Sequence, residues 1–132
     1  MEIQLINDEL FDALHKEAEV NDRKRKNFDL RTSCADTSQR MLNVLEPGTV
    51  VPIHMHTDTS ETVICIVGRL EEIFFEEVTD SEEQRFHEVS RVQLCPSEGK
   101  YGVQIPKGVW HTINVIEPSC IFEAKDGAYL ER

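Results

Sequence analysis

The chain has 132 residues, the size of a single domain, and 30% of them are charged. Acidic residues outnumber basic residues 25 to 14, so the formal net charge is −11. This surplus argues against a general nucleic-acid binder, because neutralising phosphates requires excess Lys and Arg, and against binding to an anionic membrane surface. The longest apolar run, Val63–Val67, is too short to span a bilayer, and residues 1–4 show no secretory signal. We therefore expect a cytoplasmic protein with neither nucleic-acid nor membrane partners.

The first twenty residues predict a helix with Asn7 or Asp8 as its N-cap. Its apolar stripe consists of Leu10, Phe11, Leu14 and Ala18. A polar connector with a basic cluster follows at residues 21–26. Two interpretations of these cations are open: they lie at the solvated C-terminal end of a helix, or they face an anionic ligand. The favourable interaction of cations with a helix C-terminus supports the first.

From about Arg40 onward, short apolar runs alternate with turn residues at roughly ten-residue spacing. Eight strands are predicted, at residues 41–46, 50–56, 62–67, 70–78, 85–94, 101–105, 110–116 and 120–125. With no helical stretch between them, they indicate an antiparallel sandwich or barrel. We expect a helical and loop extension at residues 1–35 that packs on a barrel at residues 36–132, within one structural domain.

One predicted strand, Thr62–Val67, is apolar on both faces instead of alternating. Such a strand must be covered on both sides, one by the core and the other by a second sheet, the N-terminal helix or a partner subunit. We therefore expect a homodimer.

Three histidines and one glutamate stand out as metal ligands. His54 and His56 lie two residues apart, so in a strand both side chains share a face. Glu61 follows after a turn, and His111 opens a later strand. This mixed N/O set suits Fe(II), Mn(II), Ni(II), Zn(II) or Cu(II). Solvent or substrate would fill the remaining coordination positions of the ion, which is typical of catalytic metal sites and not of closed structural ones.

The other histidines, His15 and His87, are expected at the surface. The four cysteines form no CxxC pair and are expected to be free buried thiols. They are Cys34, Cys65, Cys95 and Cys120.

The segment Gly48–Gly68, which reads G-x5-H-x-H-x4-E-x6-G, resembles the first motif of the cupins. Pro106–His111 resembles the second motif, with Lys100 where a glycine and Val115 where an asparagine is expected. The resemblance implies an all-β protein with a short N-terminal helix, folded as a cupin-type double-stranded β-helix. In this jelly-roll barrel the ion would lie in the mouth.

A narrower resemblance, to the WbuC family of cupin-fold metalloproteins, covers nearly the whole chain. The segments that carry it are Arg25–Leu30, Gln39–Asn43, Glu46–Thr49, Ile105–Thr112 and Glu123–Tyr129. The chain departs from the family at Arg31, Thr59 and Ala128. The resemblance implies a role in bacterial surface-polysaccharide metabolism.

If Lys26, Arg40 and Lys125 are pattern residues of that family, they border the barrel mouth and bind an anionic sugar or carboxylate. An enzyme also needs a titratable side chain near the ion other than its ligands. Tyr101 and Tyr129 are the candidates for this catalytic role.

Three functions remain open at this point. The first is an enzyme acting on a small sugar-derived or carboxylate substrate through one divalent transition metal ion (Fe, Zn, Mn or Ni), as an isomerase, an epimerase or an Fe(II) dioxygenase. The second is a non-catalytic, metal-dependent binding or sensor protein for a sugar or small acid. The third is a cupin whose ion mainly stabilises the fold.

Overall fold

The computed structural model describes residues 2–80 and 82–127. The described residues form one α-helix, six β-strands and a short 3-10 turn. They are α1 (Asp8–Val20), β1 (Arg25–Asp29), β2 (Ser38–Leu45), β3 (Glu61–Val78), β4 (Arg85–Leu94), the 3-10 turn Pro96–Glu98, β5 (Gly102–Ile105) and β6 (Trp110–Asp126). No helix in this part of the chain has the length and apolar character needed to cross a membrane.

The N-terminal helix forms as the apolar stripe predicts. Asn7 is the N-cap, and its side chain accepts a hydrogen bond of 3.0 Å from the Leu10 N–H. Its buried stripe packs against one face of the sheet formed by β1, β2 and β6. The cluster between them contains Phe11, Leu14, Ala18, Leu42, Val44 and Cys120. The helix therefore covers the outside of that sheet.

All strand pairs are antiparallel, in the order β1-β2-β6-β3-β4, and β5 pairs with β3. The long strands β3 and β6 pair from Glu61 opposite Lys125 to Phe75 opposite Trp110. The result is the jelly-roll β fold that the sequence predicts. Its interior is apolar at one end, where the core contains Leu45, Val63, Cys65, Leu70, Leu94, Ile105, Val115 and Ile121.

The structure corrects five of the eight strand predictions. The predicted strands 62–67 and 70–78 are one strand, β3, and the predicted strands 110–116 and 120–125 are one strand, β6. Residues 50–56 form no strand; only His54 makes a bridge, to His111. The predicted connector 21–26 already contains the start of β1. The sequence of β1 shows no apolar pattern because its inward side chains line a polar cavity.

Long β3 bends at Gly68, which explains why it resembled two strands. Gly68 has φ +104°, a conformation that L side chains rarely adopt, and the pairing register with β6 shifts around it. A Cβ at this position would lie 2.3 Å from Ser119 Oγ and 2.4 Å from the Pro118 carbonyl oxygen. Ser119 is fully buried, and its hydroxyl accepts a bond from the Arg69 N–H. The bend therefore depends on a missing side chain.

Two surface predictions need adjustment. Cys34 is exposed, although the other three cysteines are buried, and all four are free. Burial raises the pKa of Cys65 to about 11 and of Cys120 to about 12, so these thiols stay protonated.

His87 is exposed as expected, but His15 is half-buried, with Nδ1 2.7 Å from Glu46 Oε1. That contact ties the helix to the end of β2.

Gly68→Ala is expected to lower the free energy of unfolding by roughly 2 kcal/mol or more, because it adds a steric clash to backbone strain. Gly99→Ala is the matched control: Gly99 also has positive φ (+78°), but an added Cβ would meet nothing within 4 Å. The control is expected to show only the strain, about 1 kcal/mol. Chemical denaturation measures both. Equal losses would contradict a close-contact role for Gly68.

Candidate metal centre

The site starts from two backbone hydrogen bonds that join distant parts of the chain. The His54 N–H donates to the His111 carbonyl at 3.0 Å, and the His111 N–H donates to the His54 carbonyl at 2.8 Å. His111 is the second residue of β6, whereas His54 lies in the irregular segment before β3. This pair therefore sets both histidines side by side, with ring centroids 4.3 Å apart.

His56 joins them from the same segment. Its carbonyl accepts a 2.8 Å bond from the Gly108 N–H, which anchors the segment to the turn before β6. Its ring centroid lies 5.4 Å from that of His54 and 5.7 Å from that of His111. One potential ligand nitrogen from each ring lies within 4.8 Å of the others. The three predicted histidines thus converge, although they do so without the predicted strand.

The hydrogen bonds of two rings fix which nitrogen is available to a metal. His54 Nδ1 lies 2.8 Å from the Pro52 carbonyl, and His111 Nδ1 lies 2.9 Å from the Val109 carbonyl. A carbonyl only accepts, so each Nδ1 carries the hydrogen, and Nε2 is the nitrogen of each ring that can bind a metal. Carbonyl partners of this kind orient the histidine ligands of metal sites.

Glu61 begins β3 and lies against the histidine cluster, with 4% of its side chain exposed. Its carboxylate is 3.2 Å from His56 Nε2 and 3.8 Å from His111 Nε2. Burial alone would raise the pKa of Glu61, but its close polar contacts with His111 and His56, and the charges these can carry, bring it down to about 2. Glu61 is therefore a carboxylate at neutral pH, the form that binds a cation.

Unsatisfied buried nitrogens test whether this site fits a metal. His56 Nε2 and His111 Nε2 are both buried, and neither makes a hydrogen bond of good geometry; their nearest carboxylate oxygens, those of Glu61, lie 3.2 and 3.8 Å away. Leaving such atoms unpaired costs about 1 to 3 kcal/mol each. A divalent cation would satisfy both and would also offset the charge of Glu61. The donor set of imidazole nitrogens and a carboxylate suits a divalent transition metal.

A polar cavity lies inside the barrel next to these residues. Its free volume is about 20 Å³, enough for a water molecule but not for a sugar ring. The lining combines His54, Glu61 and His111 with polar residues from β1, β2, β3 and β6. These are Arg25, Asn27, Asn43, Glu72 and Glu123, together with the apolar Met41, Val51, Val63 and Ile113.

Glu72 is the least expected member of this lining. It is 1% exposed, and its Oε2 has no hydrogen-bond partner. Burial raises its pKa well above the usual value, and the charges of Glu123 and Glu61 raise it further. A buried acid that keeps its proton, beside possible metal ligands, is a feature of functional sites. Sequence reasoning missed it because Glu72 lies in the run Glu71-Glu72, where no pattern marks one glutamate as inward.

Outside the barrel, a wider groove borders His56 and includes Lys125. This groove has a volume of about 540 Å³, within the range of ligand pockets. Its lining is mainly polar and contains Thr37, Met55, His56, Thr57, Asp58, Thr59, Lys125, Asp126 and Gly127. A ligand larger than water would reach the metal centre from this side.

The three predicted substrate-binding cations lie in different environments. Lys125 lines the groove, and its Nζ donates to the Gly127 carbonyl at 3.1 Å. Arg40 lines an adjoining groove but is paired with Asp36. Lys26 pairs with Val44, which packs beneath α1, so Lys26 lies on the sheet face opposite the cavity.

Of the two predicted catalytic tyrosines, Tyr101 lies away from the described site. Tyr101 is 61% exposed and lines neither the cavity nor the grooves beside it. Tyr129 lies outside the described residues. Among the described residues, Glu72 lines the cavity beside the ligand set, whereas Tyr101 does not.

Solved structures with this fold include members of the cupin superfamily. A cupin superfamily protein from Desulfitobacterium hafniense is 13% identical, with a TM-score of 0.57 and coverage of 83% of each chain. The capsular polysaccharide assembling protein CapF from Staphylococcus aureus is 23% identical, with a TM-score of 0.56. The alignment with CapF covers 84% of this chain and 30% of CapF. These likenesses show a cupin fold.

YcfD, a ribosomal oxygenase from Escherichia coli, has a TM-score of 0.54 and 21% identity. The alignment covers 71% of this chain and 24% of YcfD. This chain thus spans about a quarter to a third of the length of YcfD and CapF.

No curated protein matches the sequence significantly. One family model does match, over residues 6–86, and its description is a domain of unknown function, DUF6016. This region includes α1, β1, β2 and all of β3, and with them three of the four predicted ligands, His54, His56 and Glu61. Because the match covers more than half of the chain, the protein belongs to the DUF6016 family.

Proposed function

We propose that this protein is a mononuclear metal-binding cupin that acts on a small sugar-derived or carboxylate ligand. The observation that carries the proposal is the convergence of three histidines, two of them with buried Nε2 atoms that make no hydrogen bond of good geometry, beside the ionised Glu61. The likeness to CapF and the resemblance to the WbuC family both support a place in bacterial surface-polysaccharide metabolism. A cytoplasmic location is part of the proposal.

His54, His56, His111 and Glu61 would hold the ion, which would supply Lewis-acid chemistry at a substrate oxygen. The surrounding chain has two tasks. The carbonyls of Pro52 and Val109 keep two imidazoles oriented through Nδ1. The barrel wall restricts water at the inner side of the site to the small cavity.

Glu72 favours an enzyme over a simple binding module. A proton on its buried carboxyl is available at the cavity that Glu72 lines, and this cavity has room for one water molecule. Proton transfer of this kind suits an isomerase or epimerase. In this role Glu72 would be a general acid or base that acts through water.

A non-catalytic sugar or small-acid binding protein is the second candidate. It is favoured by the size of the inner cavity, which keeps a sugar ring out of direct contact with Glu72. The two candidates share the metal centre and differ in whether Glu72 affects turnover.

The homodimer is also a proposal, and it is supported by the outer face of β3. There Ile64, Ile66 and Val67 are 38%, 37% and 43% exposed, while α1 packs on β1 and β2 instead. A second copy would cover this apolar surface, as the sequence of Thr62–Val67 predicts.

His56→Ala is expected to reduce bound transition metal from about one ion per chain to background, because it removes a ligand with no substitute nearby. Elemental analysis of protein purified without added metal measures this, and circular dichroism checks that the barrel is folded. His87→Ala, which removes an exposed histidine outside the site, is expected to retain the metal. The proposal would be overturned if the wild type contains no metal and its melting temperature does not rise when metals are added. If the His56→Ala variant is unfolded, the ion has a structural role.

Glu72→Gln is expected to stabilise the metal-free protein increasingly as the pH rises above about 4.5. In the wild type the unfolded chain releases the Glu72 proton there, whereas the folded chain keeps it. The free energy of unfolding of the wild type therefore falls by up to ~1.4 kcal/mol per pH unit, until the pH reaches the pKa of Glu72 in the folded protein. Urea denaturation from pH 4 to 8 measures the difference, with Glu76→Gln, an exposed position on β3, as the charge control. Parallel curves for wild type and Glu72→Gln would show that Glu72 is not a buried neutral acid.

Ile66→Lys is expected to shift the protein from dimer to monomer, because it places a charge in the proposed interface. Light scattering at micromolar concentration measures the mass. Val89→Lys, at a 49% exposed valine on β4, is expected to leave the mass unchanged. A monomeric wild type would exclude the dimer.

A further inference from the structure

The irregular segment at residues 50–56, which carries two of the three histidines, is held by side chains before it reaches the first of them. Three successive carbonyls of this segment each accept a hydrogen bond from a side chain. Val50 accepts from Arg25 Nη1 at 2.9 Å, Val51 accepts from Thr112 Oγ1 at 2.5 Å, and Pro52 accepts from His54 Nδ1 at 2.8 Å. The first two donors come from outside the segment.

These two outside donors belong to different strands. Arg25 begins β1, is 8% exposed and lines the polar cavity. Thr112 is half-buried on β6 and directly follows His111. Residues 50–53 lie in no strand of the described chain, so strand pairing does not orient the peptide units that precede His54. The side chains of Arg25 and Thr112 hold these units instead.

Pro52 couples the held peptide units to His54. The proline ring fixes φ at about −65°, so only ψ remains free between the peptide that joins Val51 to Pro52 and the Pro52 carbonyl. Helical conformations of Val51 are disfavoured as well, because it precedes a proline. The Pro52 carbonyl is therefore a fixed acceptor for His54 Nδ1. Fixing the direction of Nδ1–H in a planar ring also fixes where Nε2 points.

The charge of Arg25 provides a way to tell positioning from electrostatics. Its guanidinium stays protonated and lines the same cavity as Glu61 and His111. A positive charge beside the ligand set opposes the binding of a metal cation. If charge were its only contribution, loss of Arg25 would tighten metal binding. Loss of the bond to Val50 would weaken it.

We propose that Arg25 and Thr112 are positioning residues of the metal centre. They hold the Val50 and Val51 carbonyls, and through Pro52 they set the direction of the His54 ring. Neither residue is itself a ligand. The inference rests on the proposed function, because it concerns the affinity and the geometry of the metal centre proposed there.

Thr112→Val is the first test, because it removes the hydroxyl group and keeps the branching of the side chain. Metal-free protein is titrated with Zn(II) in competition with a chelator of known affinity. The variant is expected to bind Zn(II) about tenfold more weakly than the wild type, as is typical when a group that orients a ligand is lost. Thr112→Ser keeps the hydroxyl group and is expected to bind within about twofold of the wild type.

The geometry of the ligands is measured separately with Co(II), whose visible absorption depends on the arrangement of its ligands. The Co(II) spectrum of Thr112→Val is expected to differ from that of the wild type, and Thr112→Ser is expected to restore it. A side chain that only stabilises the barrel would lower the melting temperature of the metal-free protein and leave the Co(II) spectrum of the folded variant unchanged. That outcome would overturn the proposal.

Thr62→Val is the matched control. Thr62 is also a half-buried threonine that directly follows a candidate ligand, Glu61, and its Oγ1 also donates at 2.5 Å. Its acceptor, however, is Gln104 Oε1 and not a carbonyl of the segment at residues 50–56. This variant is expected to change the Zn(II) affinity less than about twofold and to keep the wild-type Co(II) spectrum. Equal losses in Thr62→Val and Thr112→Val would contradict a specific role for the bond to Val51.

Arg25→Met removes the bond to Val50 together with the positive charge. It is expected to weaken Zn(II) binding about tenfold, a change opposite in sign to the effect of the charge. Tighter binding or wild-type affinity would overturn the role of Arg25. If circular dichroism shows that Arg25→Met is unfolded, Arg25→Lys takes its place. Lysine keeps a charge beside the buried carboxyl groups but lacks the planar guanidinium that holds Val50, so the same loss of affinity is expected.

The wild type separates failure of this inference from failure of the proposed function. A folded wild type that binds neither Zn(II) nor Co(II) overturns both. A wild type that binds these ions, together with a Thr112→Val variant of unchanged affinity and spectrum, overturns only the inference.

Discussion

The pair of backbone hydrogen bonds between His54 and His111 is the constraint on which the site depends. The segment that carries His54 and His56 has no strand partner of its own, and these two bonds hold it to the start of β6. A backbone link positions ligands more exactly than side-chain packing alone, because it fixes the Cα atoms from which both imidazoles project. The carbonyls of Pro52 and Val109 then set the ring orientations. The arrangement of the candidate metal ligands is therefore set largely by main-chain pairing.

The interior of the barrel divides into two chemical halves. One end is an ordinary apolar core, and the other collects Glu61, Glu72 and Glu123 around a few imidazoles and Arg25. Three carboxyl groups cannot all ionise cheaply in so small a space. The neighbours of each carboxyl group decide which one ionises. Glu61 lies beside two histidines and ionises, whereas Glu72 has no histidine beside its carboxyl group and keeps its proton. A cation at the histidines would complete this balance of charge.

The sequence alone predicted the helix, the jelly-roll class and three histidines that the structure brings together, because each leaves a periodic or motif-like signal. It failed where a signal depends on three dimensions. Gly68 looked like a strand end because a bend and a turn both favour glycine. β1 looked like a connector because Asn27 and Arg25 face a polar cavity instead of a core. Glu72 has no local signal at all, since only register and burial distinguish it from neighbouring polar residues.

The pairing of β3 with β6 has a consequence for how the protein acquires its ion. This ladder joins residues far apart in the chain, such as Glu61 and Lys125, and contacts of this kind form late and slowly in folding. The ligands His54 and Glu61 precede or begin β3, and His111 lies at the start of β6. A partly folded chain consequently offers no complete coordination sphere. Capture of the proposed metal ion would then be a sign that the barrel has closed, and by mass action the ion would stabilise the closed form over the species that would aggregate through unpaired strands.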